Sequence, residues 1–150
     1  MKAIQYLLAA VLWTALQAAA LAQDSYKVYL TAKADAEVPL QEPMETFTCS
    51  DRIYGVLEVN QPDGGSGTHT LHATWRNPAG DDQEVTRYDF QITNGYARVW
   101  VWLKLNRSGE AAIVQFINPT AGMEEFIGMW ELHVRVDGES VAKKTFEVLC

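Results

Sequence analysis

The residues able to do chemistry in this chain are few and scattered. Its three histidines are His69, His72 and His133. His69 and His72 fall in one alternating run, Thr68 to Arg76, and side chains three apart in an extended strand point to opposite faces. They cannot share a metal ion without a bulge. His72 and His133 both face outward and meet only if their strands are neighbours, and a zinc-type site would still need further ligands. A cleft joining His72, His133 and a carboxylate is the one arrangement that would argue for an enzyme.

The carboxylates are no better organised. Asp81-Asp82-Gln83-Glu84 and Glu124-Glu125 sit in or near loops, where calcium ligands often lie, but neither follows a D-x-D-x-D-G pattern. No carboxylate pair marks a glycosidase cleft. There is no G-x-S-x-G elbow. Gly64-Gly65-Ser66-Gly67 lies between strands and carries no Lys, so it is not a phosphate loop. Asn106-Arg107-Ser108 has the form of a glycosylation sequon, which matters only in a eukaryotic host. The expectation is a protein with no catalytic residues, no metal and no cofactor, and therefore not an enzyme.

The segment with the strongest binding character is Tyr96 to Leu105, YARVWVWLKL. Ala97, Val99, Val101, Leu103 and Leu105 form an aliphatic stripe on one face of a strand. Tyr96, Arg98, Trp100, Trp102 and Lys104 form the other. Aromatic rings with Arg beside them are the side chains enriched at interface hot spots. These five residues are the candidate binding surface, unless another part of the chain covers the rings and Arg98 stacks on them.

Those residues need a scaffold, and the start of the chain says where it works. Met1-Lys2 is followed by an apolar run from Ala3 through Leu16, then by Ala18-Ala19-Ala20-Leu21-Ala22 with its small-x-small ending. That is the layout of a secretory signal peptide over residues 1–22, cleaved after Ala22, leaving one domain over 23–150. No Cys lies at the cut, and no later run is long and apolar enough for a membrane helix. A periplasmic or secreted protein is expected, with no membrane insertion after cleavage. Without Lys2, eleven Lys and Arg face 19 Asp and Glu, a formal charge of −8. Such a surface repels nucleic acid and anionic lipid.

Cys49 and Cys150 are the only cysteines, and in an exported chain they read as a disulfide. Such a bond closes a loop on the order of 100 residues, for which chain entropy gives about 4–5 kcal/mol.

The rest of the chain alternates in short runs between turn signals. Tyr26 to Lys33 reads as a first strand near an edge, with lysines on one side. Asp35 to Pro43 is a connector whose prolines, Pro39 and Pro43, do not suit a central strand. Glu45 to Ser50 and Arg52 to Asn60 follow as strands. Pro62 to Gly67 is a turn, expected to join Arg52–Asn60 and Thr68–Arg76 as a long-looped hairpin. Val85 to Thr93 comes next, and Asn94-Gly95 predicts an antiparallel hairpin between it and Tyr96–Leu105. A strand is expected around Ala112, Val114 and Phe116, then Trp130 to Val136, then Val141 to Cys150. About eight strands with regular turns and no amphipathic helix beyond the leader indicate an all-β antiparallel sandwich.

Trp75-Arg76-Asn77-Pro78-Ala79-Gly80, together with Gly128-Met129-Trp130 leading into Leu132, Val134 and Val136, and with Phe146-Glu147-Val148 in the closing strand, resembles the immunoglobulin-like sandwich domains of exported bacterial proteins. The pattern departs from antibody-type domains in its terminal second Cys. The resemblance implies a fold and no activity. The functional expectation is a protein–protein interaction or accessory module, docking through the aromatic face or by adding a strand at an edge. The alternatives are a lipid or sugar binder with the rings lining a pocket between sheets, and a secreted enzyme inhibitor presenting Pro62–Gly67 as a rigid loop.

Overall fold

The structure is a computed structural model that describes residues 25–105 and 124–150. The leader, the strand expected around Ala112–Phe116 and the Asn106 sequon fall outside those residues.

Among the described residues ten strands run in the order β1 (Tyr26–Thr31), β2 (Ala34–Asp35), β3 (Val38–Pro39), β4 (Thr46–Thr48), β5 (Arg52–Asn60), β6 (Gly67–Arg76), β7 (Asp82–Ile92), β8 (Tyr96–Lys104), β9 (Gly128–Val136) and β10 (Glu139–Leu149). Eight of them are longer than two residues, and β2 and β3 form a small ribbon of their own. One main sheet has three strands, β1-β5-β8, and the other has five, β4-β10-β9-β6-β7. Every pairing is antiparallel except β10 with β4, which run parallel.

The two sheets face each other across one core, as period-two patterning demands. Leu71, Ala73 and Trp75 of β6, and Trp130, Leu132, Val134 and Val136 of β9, are buried from one side. Ile53, Leu57 and Val59 of β5, and Ala97, Val101 and Leu103 of β8, meet them from the other. Val99 is half-buried against the same core. Phe146 lies at its centre, edge-on to Phe47 at 5.5 Å and to Trp75 at 5.9 Å, and stacked with Trp130 at 6.1 Å. The sheets approach closely at Gly55: a methyl built there would lie 2.5 Å from Leu132 Cδ2 and 3.3 Å from Trp75 Cη2. The large rings of one sheet fit because the other has no side chain at that point.

Both expected hairpins are corrected. Asn94-Gly95 does turn the chain tightly: Thr93 and Tyr96 exchange both backbone hydrogen bonds at 3.0 Å, and both turn residues have positive φ. Pairing stops there, because β7 continues against β6 and β8 continues against β5. The Pro62–Gly67 turn likewise carries the chain from one sheet to the other. A turn signal encodes reversal of direction, but the strands beyond it go where their apolar stripes can be buried. Here β5 and β8 share one sheet and β6 and β7 the other. The two crossings brace each other: Gln61 N–H donates to Gly95 O at 2.7 Å, Gly95 N–H to Gly65 O at 2.7 Å, and Asn94 N–H to Ser66 Oγ at 2.9 Å.

Cys49 and Cys150 are joined as a disulfide with Cα atoms 5.2 Å apart, beside the parallel β4–β10 ladder. The bond fastens the short edge strand β4 to the end of the chain. Among the described residues no helix is long and apolar enough to cross a membrane.

Candidate functional site

The outer face of the three-stranded sheet is a grid fixed by register. Lys27, Glu58 and Arg98 form one cross-strand row, Tyr29, Val56 and Trp100 the next, and Thr31, Tyr54 and Trp102 the third. The five candidate binding residues thus lie on the outward parity of β8, but the structure divides them. Tyr29, Tyr54 and Val56 are buried, with Trp100 packed against them. Trp102 and Tyr96 remain 53% and 52% exposed. Lys104 is exposed at the strand end, and Arg98 separates Tyr96 from the two indoles.

Part of the face is covered from within the chain. The β2–β3 ribbon folds over it, turning through Ala36 and Glu37 at φ 46° and 70°. Neither is Gly, so the left-handed backbone there is strained. The ribbon delivers the Pro39 carbonyl to Arg98 Nη2 at 2.6 Å and the Glu37 carboxylate to Arg52 Nη1 at 3.2 Å.

Arg98 is a structural clamp. It donates from Nη2 to the Tyr29 hydroxyl at 2.8 Å and from Nε to Glu58 Oε1 at 3.2 Å. Its guanidinium also lies 6.0 Å from the centre of the Trp100 ring. Glu58 is the hub, because it also accepts from Tyr29 Oη at 3.2 Å and Gln41 Nε2 at 2.9 Å. Burial disfavours the charge on Arg98, but the Tyr29 hydroxyl and the Glu58 carboxylate outweigh it and hold the pKa above its ordinary value. Burial likewise pushes the Tyr29 hydroxyl up, against the opposing pull of Arg98.

Beyond the clamp lies an open hollow of about 160 Å³, lined by Glu37, Arg52, Tyr54, Trp100 and Trp102. Arg52 stands 6.0 Å from the centre of the Trp102 ring. The hollow therefore has two indoles for apolar contact, one cation and one carboxylate. Of its lining, Glu37, Arg52 and Tyr54 escaped the sequence reading. Tyr54 is legible in hindsight from the outward parity of β5. Arg52 shares that parity at the start of β5, whereas Glu37 is placed by a ribbon that no periodicity marks.

The rings point away from the space between the sheets. A lipid or sugar pocket there, lined by Trp100 and Trp102, is not how the chain places them. The Pro62–Gly67 loop is held at its base by Gly95 and Asn94, as described above.

The histidines go elsewhere. His69 Nδ1 lies 2.7 Å from Asp137 Oδ2, while His133 Nε2 lies 2.8 Å from Glu131 Oε2. β6 and β9 are neighbours, so His72 and His133 do share a shallow hollow of about 160 Å³ with Thr74, Arg76, Asp82 and Arg135. Its one carboxylate, Asp82, is held by Arg76 at 3.1 Å. Thr74 supplies its one hydroxyl, and no hydrogen bond joins that hydroxyl to an imidazole among the described residues. Among the described residues no three His, Cys, Asp or Glu side chains group as a metal site.

No protein-family model matches the chain, and no curated protein matches it. Solved structures do share its architecture. A Pseudomonas fluorescens alkylpurine DNA glycosylase, AlkC, solved with DNA containing an abasic-site analogue, superimposes with a TM-score of 0.51 at 11% identity. The match covers 84% of this chain and 31% of that one. A β-glucosidase from Listeria innocua gives 0.48 at 10% identity over 82% of this chain and 16% of its own. An immunoglobulin-like protein from Pseudomonas aeruginosa, PA1606, gives 0.38 at 12% identity over 82% and 92%, too loose a superposition to add to the description. The chain spans under a third of the glycosylase and about a sixth of the glucosidase. At such identities the likeness concerns the β-sandwich alone.

Proposed function

We propose that this chain is a non-enzymatic binding module that works outside the cytoplasm and holds a protein partner by its Trp100–Trp102 face. One observation carries the reading: Trp102, in a stretch of β8 paired throughout with β5, keeps 53% of its surface in solvent beside a hollow it shares with Trp100. A large ring is costly to leave in water, and Trp and Arg are among the residue types enriched at interface hot spots. Neighbouring Arg98, Tyr29 and Glu58 are locked together, so the surface is preorganised and little side-chain freedom is lost on docking. The secretory layout of residues 1–22 and the Cys49–Cys150 bond support a setting in the periplasm or beyond the cell.

The test is affinity capture from the native extracytoplasmic fraction with the chain and with Trp102→Ala as baits. Trp102 is half in solvent, so its loss leaves the fold intact, checked by circular dichroism. The variant is expected to lose the partner by about 30-fold in Kd or more, the hot-spot threshold. Equal capture by both baits would remove this surface from consideration.

A further inference from the structure

The outer face of the five-stranded sheet carries a basic row unrelated to the aromatic surface. His72 on β6 is paired with Arg87 of β7 on one side and with Arg135 of β9 on the other. All three stand on the outward parity, opposite to the buried Leu71, Ala73, Val134 and Val136. Among the described residues Arg87 and Arg135, like Lys104 and Lys144, make no ion pair, whereas Lys27, Lys33, Arg52, Arg76, Arg98 and Lys143 each do. The chain has 19 acidic residues against 12 Lys and Arg, yet no carboxylate occupies this row. The two arginines are thus two strands apart, with His72 between them.

The row floors a hollow of about 500 Å³ completed by Thr70, Asp137 and Gly138. The nearest carboxylates are already engaged. Asp137 accepts from the Thr70 N–H at 2.8 Å and lies 2.7 Å from His69 Nδ1, and Asp89 accepts from the Thr70 hydroxyl at 2.7 Å. Two strand spacings set the Arg87 and Arg135 backbones about 10 Å apart, so both guanidinium forks can close on one group above His72.

We propose that Arg87, His72 and Arg135 form a binding site for a ligand bearing an oxyanion, a carboxylate or a phosphoryl group. Two planar forks present paired N–H donors that match such a group, and the imidazole supplies a further donor from below. The test is titration of the chain with inorganic phosphate and, separately, with succinate, against chloride at fixed ionic strength. Binding is read by amide chemical shifts and by calorimetry. Saturable binding is expected, with shifts confined to β6, β7 and β9. Arg87→Gln combined with Arg135→Gln is expected to weaken it at least tenfold, while Lys144→Gln on β10 leaves it unchanged. Tighter binding of phosphate assigns a phosphoryl ligand, and tighter binding of succinate a carboxylate. Absence of saturable binding by either anion, or equal binding by the double variant, overturns the proposal.

Discussion

Arg98 on β8 donates a 2.8 Å hydrogen bond to the hydroxyl of Tyr29 on β1, reaching across the whole width of β5. The bridge ties the two outer strands of the three-stranded sheet and, through the Pro39 carbonyl, the ribbon that covers it. It also fixes the floor beside which Trp100 and Trp102 stand.

Replacing Arg98 should therefore loosen a face rather than a single contact. Arg98→Met leaves Glu58, whose side chain is 15% exposed, without its main cation and frees the Pro39 carbonyl. A loss of about 2 kcal/mol is expected in denaturant unfolding. Arg98→Lys should recover little of it, since one ammonium on a flexible stem cannot reproduce the planar fork.

Gly55→Ala tests the fit of the two sheets. The added methyl would meet Leu132 Cδ2 at 2.5 Å and the Trp75 indole at 3.3 Å. A cost of about 2–3 kcal/mol is expected, as for overpacked cores. A melting temperature equal to that of the parent would mean that the sheets sit further apart.

Reducing the Cys49–Cys150 bond, or replacing both residues by Ser, should lower stability by about 4 kcal/mol, because the sequence separation is 101 residues. The first consequence should be release of β4 from β10, seen as faster amide exchange at Glu147, whose N–H donates to the Glu45 carbonyl at 2.9 Å.

Asp137 couples the β6–β9 ladder to pH. Its carboxylate accepts from the Thr70 backbone N–H and lies beside His69, and in that order these contacts hold its pKa below the ordinary carboxylate value. A depressed folded-state pKa gives stability that is present above the unfolded value and disappears as pH falls through the folded one. Asp137→Asn keeps an acceptor and tolerates the positive φ of 52°. It should cost about 1 kcal/mol or less near neutrality, as expected for an exposed charge. The gap from the parent should begin to close as pH falls past about 4, the ordinary carboxylate value, and should vanish only below the depressed folded-state value, where the native carboxyl is itself protonated. A gap that widens on acidification would assign the contact the opposite sign.

Period-two alternation was enough to assign faces, because it follows from local backbone geometry alone. Val101 and Leu103 go to the core and Trp102 to the outside; Trp75, Leu132 and Val134 go in and His133 and Arg135 out. The Cys49–Cys150 pairing was equally readable, since two cysteines allow one internal bond. What alternation leaves open is which strand lies beside which. Asn94-Gly95 encodes a reversal within a few residues, but whether β7 and β8 pair depends on burying both apolar stripes at once, a condition on the whole chain. For the same reason, the packing of Trp100 on Tyr29 and Tyr54, the arrival of Glu37 and Pro39 over that face, and the alignment of Arg87, His72 and Arg135 in one row exist only in the assembled sheets. The sequence by itself determined the two faces of each strand, and tertiary structure decided which residues share a surface, because neighbours across a sheet are chosen by burial and not by distance along the chain.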